Sequence, residues 1–196
     1  YFSSGFISAT TTIEFERICE SKWTPAQFGA GLNASVSAVA SLQNGDVLVG
    51  GQFTTAGGVA ANRIGLWNGD SWAALGVGMN SGVSALAFLP NGDLVAGGSF
   101  TSAGGVAANR IARWNGTSWE PLGSGMNGTV YSLAVLPNGD LVAGGGFSTA
   151  GGVTVNRVAR WNGVAWTPLG SGLNGQAYAL AVLPNGDLVA GGNFTT

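Results

Sequence analysis

Three Asn-Arg pairs recur at one spacing: Asn62-Arg63, Asn109-Arg110 and Asn156-Arg157, each 47 residues after the last. An amide beside a guanidinium offers a fork of donors and one carbonyl acceptor, a combination suited to an anionic or hydroxyl-rich ligand. The same side chains suit a second task, the amide capping a glycine-rich loop while the guanidinium bonds neighbouring carbonyls. Four carboxylates keep the same period, Asp46, Asp93, Asp140 and Asp187, each ending an Asn-Gly-Asp triplet. A calcium loop needs several oxygen ligands within one short segment. One carboxylate per repeat is too few, so Asp after Asn-Gly reads as turn chemistry. Glu14, Glu16 and Glu20 form the densest acidic group. Glycoside hydrolysis needs two carboxylates across a cleft, and no second cluster stands ready to face them. A solvated strand face accounts for them better.

What is missing excludes more. The 196 residues include no His and one Cys, Cys19. No Ser-His-Asp triad, Cys-His pair or imidazole metal site can be built, nor a disulfide within the chain or a thiolate zinc site. Only 8% of residues are charged, too few for an electrostatic nucleic-acid binder. No apolar run approaches the roughly 18 residues of a membrane helix. The expectation is a non-enzymatic chain with no cofactor and no metal, whose partners are protein or carbohydrate, not nucleic acid or membrane. The first residue is Tyr1, not Met, which reads as the product of a removed leader or a piece of a larger chain or assembly. Low charge with a hydroxyl-rich surface leans toward an extracellular or cell-surface setting. Sequons at Asn33, Asn115, Asn127 and Asn193 carry glycans only in a eukaryotic secretory route.

The elements that must hold these residues are set by an internal repeat. Gly50-Gly51, Gly97-Gly98, Gly144-Gly145 and Gly191-Gly192 are spaced by 47, as are Trp67, Trp114 and Trp161, and Trp72, Trp119 and Trp166. Residues 81–127 and 128–174 share 32 of 47 positions. Each unit reads as four short strands. In the second unit Val83–Leu89 stops at Pro90-Asn91-Gly92-Asp93, and an Asn-Gly between apolar runs is a hairpin signal in which both residues readily take positive φ. Leu94–Phe100 returns, a loop over 101–109 follows, then Arg110–Trp114, a turn at Asn115-Gly116, and Ser118–Leu122. No window carries a sustained helical period. Four-stranded units at this period are propeller blades, whose two apolar faces need neighbours. The Gly-Gly pair is expected to let a bulky side chain, one of the Trp residues, lie on bare backbone. Two Trp per blade fit packing between blades better than exposed carbohydrate stacking.

The strand Leu94-Val95-Ala96-Gly97-Gly98 followed by Ile111-Ala112-Arg113-Trp114-Asn115-Gly116-Thr117-Ser118-Trp119 resembles kelch-type repeats, with Trp114 where those repeats usually carry Tyr. Ala103-Gly104-Gly105 before Asn109-Arg110 resembles repeats of fungal cortical-marker proteins and bacterial surface propellers. The resemblance spans about residues 34–192 and implies a β-propeller acting as a binding or display scaffold. Gly116-Thr117-Ser118-Trp119 also resembles the tail of the sialidase Asp box, without its Asp. A sialidase needs a tyrosine nucleophile and an arginine cluster, and the tyrosines are only Tyr1, Tyr131 and Tyr178. Copper oxidases of kelch-like fold need His ligands, which this chain lacks.

The expected organisation is one propeller domain over 1–196. Residues 1–33 form a diverged half-blade, 34–80, 81–127 and 128–174 are whole repeats, and 175–196 are the other half-blade. Thr12–Ile18 would be the third strand of a blade whose first two strands lie near the C-terminus. Such a blade closes a four-bladed ring and removes its exposed edges. The competing reading is an arc of a larger ring. For function, a binding or display scaffold leads, with the Asn-Arg pairs and the 54–63, 101–110 and 148–157 loops as candidate ligand face. A purely structural spacer and a glycan-binding or glycan-active propeller are the alternatives.

Overall fold

The chain was analysed as a computed structural model that describes residues 31–195. These residues are all β, without helix. The first blade comprises Val36–Ser41 (β1), Val47–Gly51 (β2), a two-residue hairpin of Thr55–Ala56 (β3) and Val59–Ala60 (β4), then Ile64–Trp67 (β5) and Trp72–Ala74 (β6). The second repeats it as Val83–Phe88 (β7), Leu94–Gly98 (β8), Ser102–Ala103 (β9), Val106–Ala107 (β10), Ile111–Trp114 (β11) and Trp119–Pro121 (β12). The third comprises Val130–Val135 (β13), Leu141–Gly145 (β14), Thr149–Ala150 (β15), Val153–Thr154 (β16), Val158–Trp161 (β17) and Trp166–Pro168 (β18). Ala177–Val182 (β19) and Leu188–Gly192 (β20) begin a fourth unit. Each complete blade is an antiparallel meander, ordered β1-β2-β5-β6 in the first. The inner strands pack in chain order, β1 on β7, β7 on β13 and β13 on β19. The proposed partner strand at 12–18 lies outside the described residues.

Three details differ from the sequence reading. The Asn-Gly hairpins are not built on two positive-φ residues. Only the glycine is left-handed, at φ 89° for Gly92. The Gly92 amide donates to the Leu89 carbonyl at 2.9 Å and Leu89 N to the Asp93 carbonyl at 2.8 Å. Pro90 and Asn91 then stand at the centre of a type I turn, a place that favours proline first. Second, the loop after β8 carries the β9–β10 hairpin, too short to show a period. Third, the inner strands are bulged: Val83 faces Gly98 and Ala85 faces Gly97, leaving Ser84 as the extra residue, and β13 and β19 repeat this at Tyr131 and Tyr178.

The core lies between blades. Leu48, Ile64 and Leu75 of the first blade cluster with Leu94, Phe100 and Trp119 of the second. Leu122 and Ile111 cluster likewise with Leu141, Phe147 and Trp166 of the third. The Gly-Gly pair serves this packing, but its occupant is valine at Gly50 and Gly97, and Ala177 with Leu180 at Gly144, not tryptophan. A Cβ on Gly97 would lie 2.5 Å from Cγ1 of Val130, and one on Gly50 would lie 2.5 Å from Cγ1 of Val83. The Trp residues close the outer side: Trp119 and Trp166 are 4% and 3% exposed. Their Nε1 atoms donate to the carbonyls of Leu75 and Leu122 in the preceding blade, at 2.9 and 3.0 Å. Within blades the Trp rings pair, with centroids 5.4 Å apart for Trp114 and Trp119.

Two predictions follow from these contacts. Valine has little rotameric freedom to retreat, so Gly97→Ala overpacks and costs about 1–3 kcal/mol. A Cβ on Gly146, just past β14, would meet Gln176 Nε2 at 3.4 Å and Tyr131 at 3.6 Å, ordinary contact distances, and Gly146→Ala is neutral within about 0.5 kcal/mol. Urea unfolding midpoints of the two variants check the difference, and equal losses would overturn it. The second concerns the indoles. Trp119→Phe strands the Leu75 carbonyl, whereas the buried Nε1 of Trp72 has no partner among the described residues. Trp119→Phe therefore destabilises by about 1–3 kcal/mol more than Trp72→Phe, read from the same unfolding curves.

Candidate functional site

The meander gives each blade two unlike ends. The tight turns between first and second strands and between third and fourth lie at one end, here called the turn end. The hairpin-bearing loops and the crossovers to the next blade lie at the other, the loop end.

At the loop end each crossover is fastened on both sides. Met79 N donates to the Asn62 carbonyl at 3.0 Å, in the blade just left. Met79 also bridges to Ala103 in the blade about to begin, and Gly104 N donates to the Gly78 carbonyl at 2.8 Å. Asn80 adds a three-point clasp. Its Oδ1 accepts from the amides of Thr101 and Ser102, and its Nδ2 donates to Thr101 Oγ1 at 2.8 Å. Asn33 and Asn127 make the same clasp on Thr54-Thr55 and Ser148-Thr149. This clasp was not singled out from the sequence. The signal for it was present as Asn followed 21 residues later by Thr or Ser.

The Asn-Arg pairs sit beside these crossovers. Asn62, Asn109 and Asn156 each donate Nδ2 to a crossover carbonyl, of Val77, Ser124 and Ser171, at 3.0, 3.2 and 3.0 Å. Arg63 Nη1 donates to the Gln52 and Phe53 carbonyls at 2.8 and 3.2 Å, while Nε of Arg63 and of Arg157 is buried without a partner among the described residues. Arg63, Arg110 and Arg157 are left-handed, with φ 67°, 67° and 71°, a rare conformation for long side chains. Their amides donate to the carbonyls of Phe53, Phe100 and Phe147, each at 2.8 Å, and these bonds hold the turn. Asn62, Arg63, Gly78, Met79, Asn80 and Ser102 line an open depression of about 330 Å³ at the junction of the first two blades. The structure thus brings each Asn-Arg pair to the mouth of a crossover, one pair per blade.

Charge is divided between the ends. Among the described residues every carboxylate is at or beside the turn end: Asp46, Asp70, Asp93, Glu120, Asp140 and Asp187. Arg113 bonds Glu120 at 2.7 Å and lies 3.4 Å from Asp93, and Arg160 lies 3.5 Å from Asp140. The hydrogen bond from Arg113 holds the Glu120 carboxyl below the usual carboxylate range and raises Arg113 in turn. In each Asn-Gly-Asp triplet the Asn Nδ2 donates to Asp Oδ2, at 2.8 Å for Asn91 and Asp93. Those oxygens serve the turn, and no group of three metal-ligating side chains forms among the described residues. At the loop end stand Arg63, Arg110 and Arg157, none in an ion pair with a described residue. Val59, Val106 and Val153, all exposed, lie on the hairpins beside them. A second depression of about 330 Å³ at the turn end is more apolar, with Leu42, Phe88, Leu94 and Trp114 in its wall.

No curated protein matches the sequence. Among solved structures the chain is similar to the extracellular domain of a one component system from B. thetaiotaomicron, at 12% identity and TM-score 0.57 over 83% of this chain and 21% of that one. It is similar also to the WD40 beta propeller domain of Doa1, at 22% identity and TM-score 0.55 over 82% and 48%. A third is virginiamycin B lyase from Staphylococcus aureus, at 16% identity and TM-score 0.54 over 84% and 52%. The chain spans between about a fifth and half of these proteins, and the likeness is one of fold. A domain of unknown function described as a beta-propeller matches residues 136–163. The model of the Rax2 C-terminal beta propeller domain matches residues 19–119, more than half of the chain, and the protein belongs to that family.

Proposed function

We infer that this propeller is a non-enzymatic binding scaffold displayed outside the cell, and that it meets its partner with the loop end. The observation that carries this is the segregation of charge and shape between the two ends. The turn end consists of short turns whose polar atoms satisfy one another. Among the described residues the loop end holds three arginines without ion pairs, three exposed valines and an open depression, on loops locked by the Asn clasps. A rigid surface loses little entropy on association. A basic, partly apolar rim suits an acidic protein or polysaccharide surface. In this reading Asn62, Asn109 and Asn156 shape the face, and Arg63, Arg110 and Arg157 give it its sign. The likeness to an extracellular domain and the low proportion of charged residues, 8%, support the location. No helix of the described residues is long and apolar enough to cross a membrane.

Fluorescently labelled protein added to intact cells of the source species tests the reading. Binding saturates and is competed by unlabelled protein. The triple variant V59E/V106E/V153E weakens it at least about tenfold by placing carboxylates on the basic rim. The turn-end variant D70K/T117K leaves it unchanged. Binding that does not saturate, or that falls equally for both variants, overturns the assignment.

A further inference from the structure

A duplication copies every residue, so recurrence says little about function and departures from the repeat say more. The first blade departs from the two that follow at three neighbouring positions. Leu66 stands where they carry Arg113 and Arg160, Ala73 where they carry Glu120 and Thr167, and Asp70 where they carry Thr117 and Val164. On the blade that faces it, Phe88 stands where the later units carry Val135 and Val182.

The fold brings Leu66 and Phe88 together. With Leu42, Leu94 and Trp114 they line the apolar depression of about 330 Å³ at the turn end, a volume at the small end of ligand pockets. Both walls are complete four-stranded blades packed on one another, so the opening lies inside a finished junction. Leu94 is buried, whereas Leu42, Leu66, Phe88 and Trp114 are half-buried. Leu66 pairs with Leu48 in its sheet as Arg113 pairs with Val95, so leucine occupies the arginine's place in the ladder. Its charge is lost with it. Arg113 lies 3.4 Å from Asp93 and Arg160 lies 3.5 Å from Asp140, but Asp46, the corresponding carboxylate of the first blade, has no ion pair among the described residues. Leu42 N donates to the Asp46 carbonyl at 2.8 Å, which ties that turn to the wall of the depression. Asp70 is exposed, on the turn that follows the strand of Leu66, and it too has no ion pair among the described residues.

We propose that this depression is a docking site for a basic segment of a partner protein. The segment inserts one leucine-like or aromatic side chain between the first two blades and sets flanking lysine or arginine against Asp46 and Asp70. The inference goes beyond the loop-end reading and does not rest on it. Two features at one place carry it: an apolar hollow where the repeat elsewhere has arginine, and carboxylates left without their cation. Burying the side chain supplies affinity, and the carboxylates supply sign and orientation. A polypeptide offers both within a few residues, since an extended chain advances about 3.3 Å per residue. An acidic segment is repelled by the turn end, whose carboxylates outnumber Arg113 and Arg160 among the described residues.

The test uses the full 196-residue chain, isotope-labelled, with its indole resonances followed by NMR and that of Trp114 identified by its loss in W114F. The probe is the end-blocked peptide Lys-Lys-Leu-Lys-Lys. It shifts the Trp114 resonance saturably, and added salt weakens it. The peptide with serine for leucine binds at least about tenfold more weakly, and so does the one with glutamate for every lysine. Leu66→Arg restores the residue that the next two blades carry and weakens the probe at least about tenfold, with the unfolding midpoint checking that the variant folds. V59E/V106E/V153E at the loop end leaves the probe's affinity within about twofold. Absence of a saturable shift overturns the proposal. Equal binding of the leucine and serine peptides, or equal binding by the parent and L66R, does the same. Sedimentation that shows the parent self-associating and L66R monomeric gives the site to a second copy of the chain and overturns the basic partner. Each of these results leaves the cell-binding test of the loop end untouched.

Discussion

The contact on which the rest depends is an apolar side chain, valine at the first two junctions, pressed against a glycine of the preceding blade. Val83 occupies the space above Gly50, and Val130 the space above Gly97. Each blade presents two apolar faces and can bury neither alone, so stability resides in the junctions. Removing the Cβ on one strand and supplying a branched, stiff side chain on its neighbour sets the separation of inner strands. The same junction is closed on its outer side by an indole that donates to the preceding blade's carbonyl. Backbone approach inside and a directional bond outside together fix the angle between blades.

This arrangement separates what repeats from what is free to vary. Turn glycines, the Asn clasps and the Asn-Arg pairs all act on backbone geometry that every junction needs. Of these, the Asn clasps reach from a crossover into the next blade, so substituting one is felt on both sides of a junction. The inner rim stands beyond these restraints, at a bulge whose residue has no ladder partner. Side chains can change there without disturbing the sheet, and that is where Ser84 becomes Tyr131 and Tyr178.

The blade was legible because periodicity and turn chemistry agree: glycine pairs, Trp pairs and Asn-Gly turns all recur at 47 residues, and each has a local physical reason. The strands then fell within a residue or two of the expected ranges. What stayed hidden depends on neighbours in space. The occupant of the glycine surface could not be read, since Val83 and Gly50 are joined only by the packing of two blades. The β9–β10 hairpin escaped because two-residue strands of small side chains carry no period. The bulge escaped because one extra residue is repeated faithfully in every unit and so leaves no irregularity to notice. For the Asn-Arg pairs, both tasks offered by their chemistry were legible, and the contacts show the amides engaged by crossover carbonyls.

The left-handed arginines bear on how such a face keeps its shape. A glycine at Arg63 would adopt that φ more readily, and glycine is abundant elsewhere in this chain. Arginine stands there in three successive blades, with its Nη1 in the first closing on the carbonyls of Gln52 and Phe53. The side chain therefore bonds the loop that its own backbone strain helps to bend, and local bonding offsets the cost of the conformation. The guanidinium of Arg63 is itself held by those carbonyls, so the position of the loop and its charge are set by one residue. A glycine would relieve the strain and leave the loop end both looser and uncharged. The repeat thus retains a strained residue where shape and sign are needed together, and uses glycine where only shape is.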